Sequence, residues 1–248
     1  MHEPIFLKNN ESDAVVVFIH GFMGSPRQFD ALARSVRHQG FSAASLLLPG
    51  HASTVKDFSS STMEKWQDYV NAEIGRLSLS FRRVFLVGHS MGCLLAINAA
   101  NKHGEIVNGL FLIACPLVLS VFSARSLRIW LKQVFRRKTH PIKSAYVAGS
   151  SVPLKPSLIW RFSKPFAELK RLILVTRDSL CNVRVPVTAV FSPSDEIVSM
   201  ESLDDLRAGL TQAPFDYIAL SDSSHAYFPE HERSLIESSL LTAVASLA

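Results

Sequence analysis

Short apolar runs rich in β-branched residues alternate with segments of helical period along most of the chain, and few folds accept that alternation. Residues 14–19 (AVVVFI) have the composition of a parallel strand buried on both faces. Further strands are predicted at residues 41–48, 84–88, 110–115, 187–191 and 215–220, with helices at 26–39, 61–77, 90–102, 199–210 and 229–246. Ser25 suits the N-cap of the first helix, Pro26 its first position and Gly40 the place just past its end. Ser61 and Glu64 have capping-box spacing at the second. Strands followed by helices imply a mostly parallel central sheet covered by helices on both faces, an α/β fold.

The 248 residues suffice for one large domain, and 48% hydrophobic content with slightly positive mean hydropathy excludes the disordered class. Residues 1–8 lack the basic stretch and apolar run of a signal peptide. The longest apolar runs, such as 14–19 and 109–115, are strand-sized, far short of the roughly 20 residues of a membrane-spanning helix. The expectation is a soluble, cytoplasmic protein. Cys93, Cys115 and Cys181 are odd in number and fit no metal-ligand spacing, so they are expected as reduced, mostly buried thiols.

Charge divides the chain. Residues 116–183 hold thirteen basic residues against Glu168 and Asp178, a net +11, which leaves −6 for the remainder of a chain of net charge +5. This basic segment has no strand-like run. Within it Leu127, Trp130, Leu131, Val134 and Phe135 fall on one face of a helix, with Arg125, Arg128, Lys132 and Arg136 off that stripe. A second helix is predicted over about 164–180, with Phe166, Leu169, Ile173 and Thr176 on one side, and Pro141, Pro153 and Pro156 mark loops. The reading is a core of residues 1–115 and 184–248 carrying a small helical cap at 116–183. The apolar stripe either packs on the body or receives an acyl chain. The basic face is solvated, docks on anionic lipid, or meets an acidic substrate or acidic carrier protein. No recognition motif accompanies the charge, which argues against nucleic acid.

Chemistry concentrates at Gly88-His89-Ser90-Met91-Gly92, between a strand and a helix. A sharp strand-to-helix turn needs nearly bare flanking positions and lifts the serine at a helix N-terminus, where negative charge is favoured. His20-Gly21-Phe22-Met23-Gly24 follows the 14–19 strand and is read as the oxyanion loop, with the N–H groups of Phe22 and Met91 as donors. A serine hydroxyl needs a base, and the base an orienting acid. His225 follows the strand at 215–220 and Asp195 the strand at 187–191, both at the end of the sheet that carries Ser90. Asp195 is preferred as the acid, with Glu196, Asp222 and, less well placed, Asp178 as rivals. His51 and His89 are candidate pocket residues with His20, which also suits a bracing role, and with Trp130 and Leu131 of the cap stripe. Neither metal-ligand spacing nor a phosphate-cradling glycine loop is found.

These motifs resemble the α/β-hydrolase superfamily, and within it the bacterial carboxylesterase and monoacylglycerol-lipase-like enzymes with a small cap. The matches are HGFMGS at 20–25, LLLPGHAS at 46–53, W-x-D at 66–68, GHSMG at 88–92, ACP at 114–116, SPSDEIV at 192–198 and SDSSHAYF at 221–228. The resemblance implies hydrolysis of short to medium acyl esters or monoacylglycerols through an acyl-enzyme on Ser90, with no cofactor. Thioester or carbon–carbon bond hydrolysis, acyl transfer, and a catalytically silent binding role are the alternatives. The chain departs from the family at Gly50-His51-Ala52, where GHG is common, in its short N-terminal stretch and in its basic cap.

Overall fold

The computed structural model describes residues 2–120, 151–152 and 160–245. Seven strands, β1 (Ile5–Leu7), β2 (Ala14–Ile19), β3 (Ser42–Leu46), β4 (Arg83–His89), β5 (Val107–Ile113), β6 (Val187–Phe191) and β7 (Phe215–Ala219), form one sheet in the order β1-β3-β2-β4-β5-β6-β7. Only β1 is antiparallel to its neighbour; every other pair is parallel. Among the described residues the α-helices are α1 (Asp30–His38), α2 (Val55–Ser59), α3 (Met63–Ser78), α4 (Met91–Lys102), α5 (Ser163–Ser179), α6 (Glu201–Gly209) and α7 (Glu230–Ala245).

Strand periodicity divides the core into two layers. On β2, Val15, Val17 and Ile19 face α3, α4 and α5, while Ala14, Val16 and Phe18 face α1 and α7. The expected parallel sheet covered on both faces is therefore present. β1 was not foreseen, because three residues carry no readable period.

Helix ends differ in informative ways. The first helix opens as a 3₁₀ turn, Pro26–Phe29; Ser25 is extended at its N-cap but makes no side-chain cap bond. Gly40 lies at φ +93, the left-handed conformation expected just past the end of α1. At α3 the cap is Thr62, whose hydroxyl accepts the Lys65 N–H at 3.3 Å, while the Ser61 hydroxyl donates to the Pro49 carbonyl. A reciprocal capping box occurs one helix earlier, between Thr54 and Asp57 at α2.

The helix predicted at about 164–180 is α5. Leu169, Leu172, Ile173 and Thr176 are buried, and Asn98 and Asn101 of α4 donate to Thr176 Oγ1 and the Ser179 carbonyl at 3.1 and 3.0 Å. Burying each of the three aliphatic side chains contributes about 2 kcal/mol. The Arg171–Glu64 ion pair is exposed and screened by solvent, so apolar packing is what docks α5 on α3 and α4. The stripe at 127–135, with Trp130 and Leu131, and the prolines at 141, 153 and 156 lie outside the described residues.

Candidate active site

The four described non-glycine residues at positive φ follow successive parallel strands at one end of the sheet. They are Met23 (φ 61) after β2, Ala52 (φ 55) after β3, Ser90 (φ 53) after β4 and Ala114 (φ 53) after β5. Each costs about 1–2 kcal/mol of backbone strain, which the surrounding packing must offset. Ala52 explains a departure noted above: the family's glycine would enter this conformation without that cost.

Ser90 sits between β4 and α4. A Cβ on Gly88 would lie 2.5 Å from the Cys93 nitrogen, and one on Gly92 would run into the Ile19 carbonyl oxygen, so both positions demand glycine. The turn is pinned by Ser90 N–H to Ile113 O and Cys93 N–H to Ser90 O, both 2.9 Å. The fold brings two distant loops to this turn. His225 Nε2 lies 2.9 Å from Ser90 Oγ, and His225 Nδ1 lies 2.8 Å from Asp195 Oδ2. A carboxylate accepts, so Nδ1 carries the proton and Nε2 is left to accept from the serine hydroxyl. Asp195 Oδ1 accepts the N–H groups of Ile197 and Val198 at 2.8 and 2.9 Å, which fixes the carboxylate plane.

Glu196, a rival for the acid, is also buried but faces the main chain. Its Oε2 accepts the His225 backbone N–H at 3.1 Å. Asp222 is exposed and pairs with His231 at 3.5 Å. Asp178 is likewise exposed, near the end of α5. The acid and base loops are tied together by Ser192 Oγ to Ser223 O and Ser194 Oγ to Ser221 O, at 2.6 and 2.7 Å. Glu232 of α7, which the sequence did not single out, anchors the base loop. It accepts from the N–H groups of Ser221 and Asp222 and the hydroxyls of Ser221 and Ser223. Burial pushes its carboxyl up, but these donors outweigh burial and hold it at about 2. Ligand atoms of Asp222, His231 and Glu232 lie within 4.8 Å of one another, yet both Glu232 oxygens already serve the loop.

The other candidate histidines, His20, His51 and His89, are buried and neutral. His20 Nδ1 donates to Gly21 O at 2.9 Å and its Nε2 accepts the Leu48 N–H at 3.1 Å. His51 Nε2 accepts the Met23 N–H at 3.2 Å, and its Nδ1 faces Pro49 O at 3.3 Å. The two rings meet edge to face at 4.7 Å, so both nitrogens of each brace the loops after β2 and β3. Burial lowers His20 well below the ordinary histidine value and His51 to about 4. His89 donates from Nε2 to the His225 carbonyl at 2.9 Å. Burial, reinforced by the neighbouring His225, takes it to about 4. The N–H groups of Phe22 and Met91 meet no acceptor among the described residues.

Burial pushes His225 down, but the Asp195 carboxylate more than offsets it, and the base is raised above the ordinary 6.5. In Asp195, burial pushes up and is outweighed by His225 and the two N–H donors, leaving it below 3.8. The base works unprotonated. kcat/KM on a neutral ester is therefore expected to rise with pH, with its midpoint above 6.5. A profile flat over roughly pH 5–8 would exclude His225 as the titrating base. For stability the signs are opposite. The His225 contribution is full below its unfolded pKa and fades as pH rises through the raised folded one. That of Asp195 is present above its unfolded pKa and fades as pH falls through the lowered one.

A family model described as "Alpha/beta hydrolase family" matches residues 16–237. The chain belongs to the α/β-hydrolase family. Its relatives include the thermostable monoacylglycerol lipase of Bacillus sp. (strain H-257), 21% identical over 234 residues that span 94% of this chain and 90% of the lipase. Among solved structures, one from the work on LipS and LipT, metagenome-derived lipolytic enzymes, superimposes with a TM-score of 0.77 at 21% identity, covering 99% of this chain and 98% of its own. The monoacylglycerol lipase of Paleococcus ferrophilus superimposes with 0.71 at 17% identity, covering 99% and 100%. At these identities the likeness is one of fold. Within this α/β-hydrolase, the serine–histidine–aspartate geometry supports serine-hydrolase chemistry on carboxylic esters. No helix of the described residues is long and apolar enough to cross a membrane.

Proposed function

We propose that the protein is a carboxylic ester hydrolase acting through an acyl-enzyme on Ser90. The observation that carries this is the continuous hydrogen-bonded series from Ser90 Oγ through His225 to Asp195. Ser90 Oγ bonds to the ester carbonyl carbon as its proton passes to His225 Nε2. The N–H groups of Phe22 and Met91 hold the oxyanion. The tetrahedral adduct collapses, the C–O bond breaks, and the alcohol leaves with the proton from His225. Water then adds to the acyl-Ser90 carbonyl by the same proton path, releasing the acid and restoring Ser90. Asp195 stays ionised and keeps Nδ1 protonated.

Short to medium acyl esters and monoacylglycerols are the proposed substrates. The Phe22 ring, on the proposed oxyanion loop, packs on Phe58, Trp66 and Phe166 at 5.1, 6.3 and 6.5 Å, an apolar wall suited to an acyl chain. A relative whose name reads monoacylglycerol lipase supports the same class. Contact with an anionic lipid surface is favoured by α5 and the short turn before it, where Trp160 and Leu174 are exposed near Lys164 and Lys170. The free thiols Cys93, Cys115 and Cys181 suit a reducing compartment, and we place the protein in the cytoplasm.

The test is a panel of p-nitrophenyl esters of increasing acyl length, monoacylglycerols and acyl thioesters, run beside labelling by a fluorophosphonate. Ester turnover with label on Ser90 is the expected result, and the chain-length optimum sizes the pocket. Folded protein that neither turns over any ester nor takes up the label would move the binding-module reading to the front.

A further inference from the structure

The connection between β5 and β6 touches the loop after β2 through a buried serine. Ser151 donates its main-chain N–H to Met23 O at 2.8 Å and its hydroxyl to Gly24 O at 2.6 Å, with Met23 O also 3.3 Å from that hydroxyl. His51, on the loop after β3, holds the same residue: its Nε2 accepts the Met23 N–H at 3.2 Å. The Gly24 N–H closes the turn on Gly21 O at 2.9 Å, and Phe22 lies inside that turn. Met23 is held at φ 61, a conformation that persists only where its surroundings enforce it. The peptides just after Phe22 are thus gripped from two elements remote in sequence.

We propose that Ser151 is a positioning residue for the oxyanion hole: by holding the Met23 and Gly24 carbonyls it sets the direction of the Phe22 N–H. This rests on the reading of Phe22 and Met91 as the oxyanion donors. The donor must meet the charge that develops in the transition state, so loosening the turn costs rate without costing ground-state binding. A hydroxyl that only satisfied a loop carbonyl would affect stability alone.

The experiment compares Ser151→Ala and Ser151→Cys with the wild type in the full chain. It measures kcat, KM, the thermal midpoint, and affinity for an alkyl boronic acid, whose tetrahedral adduct on Ser90 places an oxygen in the oxyanion position. Alanine removes the hydroxyl donor; cysteine offers a weaker one of similar size. The expected result is a kcat falling in the order Ser, Cys, Ala, by about tenfold at alanine, with KM within about twofold. Boronate affinity falls in parallel, and the midpoint of the pH profile stays in place. Should Ser151→Ala fail to fold, the cysteine variant carries the same ordered expectation. Wild-type kcat and boronate affinity in the folded variants, or a loss confined to KM or thermal midpoint, would overturn the proposal. The parent reading fails separately: full activity in Ser90→Ala removes it, whereas an inactive Ser90→Ala beside an unimpaired Ser151→Ala removes the tether alone.

Discussion

Ser90→Ala is expected to lower kcat on esters by at least about 10³-fold while leaving the protein folded. The substitution deletes the atom that bonds to the carbonyl and leaves every other part of the turn in place. Gly88 and Gly92 still clear Cys93 and Ile19, and the main-chain bonds to Ile113 and Cys93 do not involve the hydroxyl. Alanine meets the same strain at φ 53 that serine already carries. The lost hydrogen bond to His225 amounts to about 1 kcal/mol of stability, small beside the catalytic loss of about 4 kcal/mol that a 10³-fold change represents. Turnover and thermal unfolding measured on one preparation separate the two effects. Equal activity in the variant would sink the acyl-enzyme mechanism.

Asp195→Asn is expected to cost about 10⁴-fold in kcat, whereas Glu196→Gln costs less than about tenfold. The difference follows from what each side chain faces. Asp195 Oδ1 is committed to the N–H groups of Ile197 and Val198, so asparagine keeps its oxygen there and turns its amide NH₂ toward His225 Nδ1. A donor at that place favours the tautomer with the proton on Nε2, which cannot accept from Ser90. Glu196 meets His225 at its main-chain N–H and not at the imidazole nitrogens, and the glutamine carbonyl accepts that bond equally well. The pH profile adds a second reading. Without the Asp195 carboxylate the strongest influence raising His225 is gone, and the residual activity of Asp195→Asn has its midpoint lower than that of wild type. Comparable losses in both variants, or a larger one in Glu196→Gln, would reassign the acid.

The neighbouring acids show where reading a chain residue by residue stops. Asp195 and Glu196 follow the same strand, both are buried, and both touch His225. Their side chains leave the loop in different directions. One reaches the imidazole and the other the peptide, a distinction that depends on the loop's fold and not on residue type. His20, His51 and His89 are similar. Their nearness to the active centre follows from strand ends, but their hydrogen bonds to Leu48, Met23 and the His225 carbonyl are contacts across the sheet. Glu232 lies in the first turn of a helix, where an acid has a sufficient local reason in the helix dipole. Nothing local marks its bonds to the base loop or those of Ser151 to the Met23–Gly24 turn.

The strands, most of the helices and the three residues at the centre were legible because each has a local cause. Burial on both faces selects β-branched runs, helical period selects spaced apolar residues, and a tight elbow selects glycine on both sides of a serine. Acyl transfer requires a serine, a histidine and a carboxylate at the ends of parallel strands. The orientation of each group had no such local cause. Ser90 and His225 are 135 residues apart, and a gap of 2.9 Å between them arises only when the sheet sets β4 and β7 in one parallel frame and α7 anchors the loop beyond β7. Periodicity and turn chemistry act over a few residues. Hydrogen-bond geometry across loops follows from packing, and packing belongs to the folded chain as a whole.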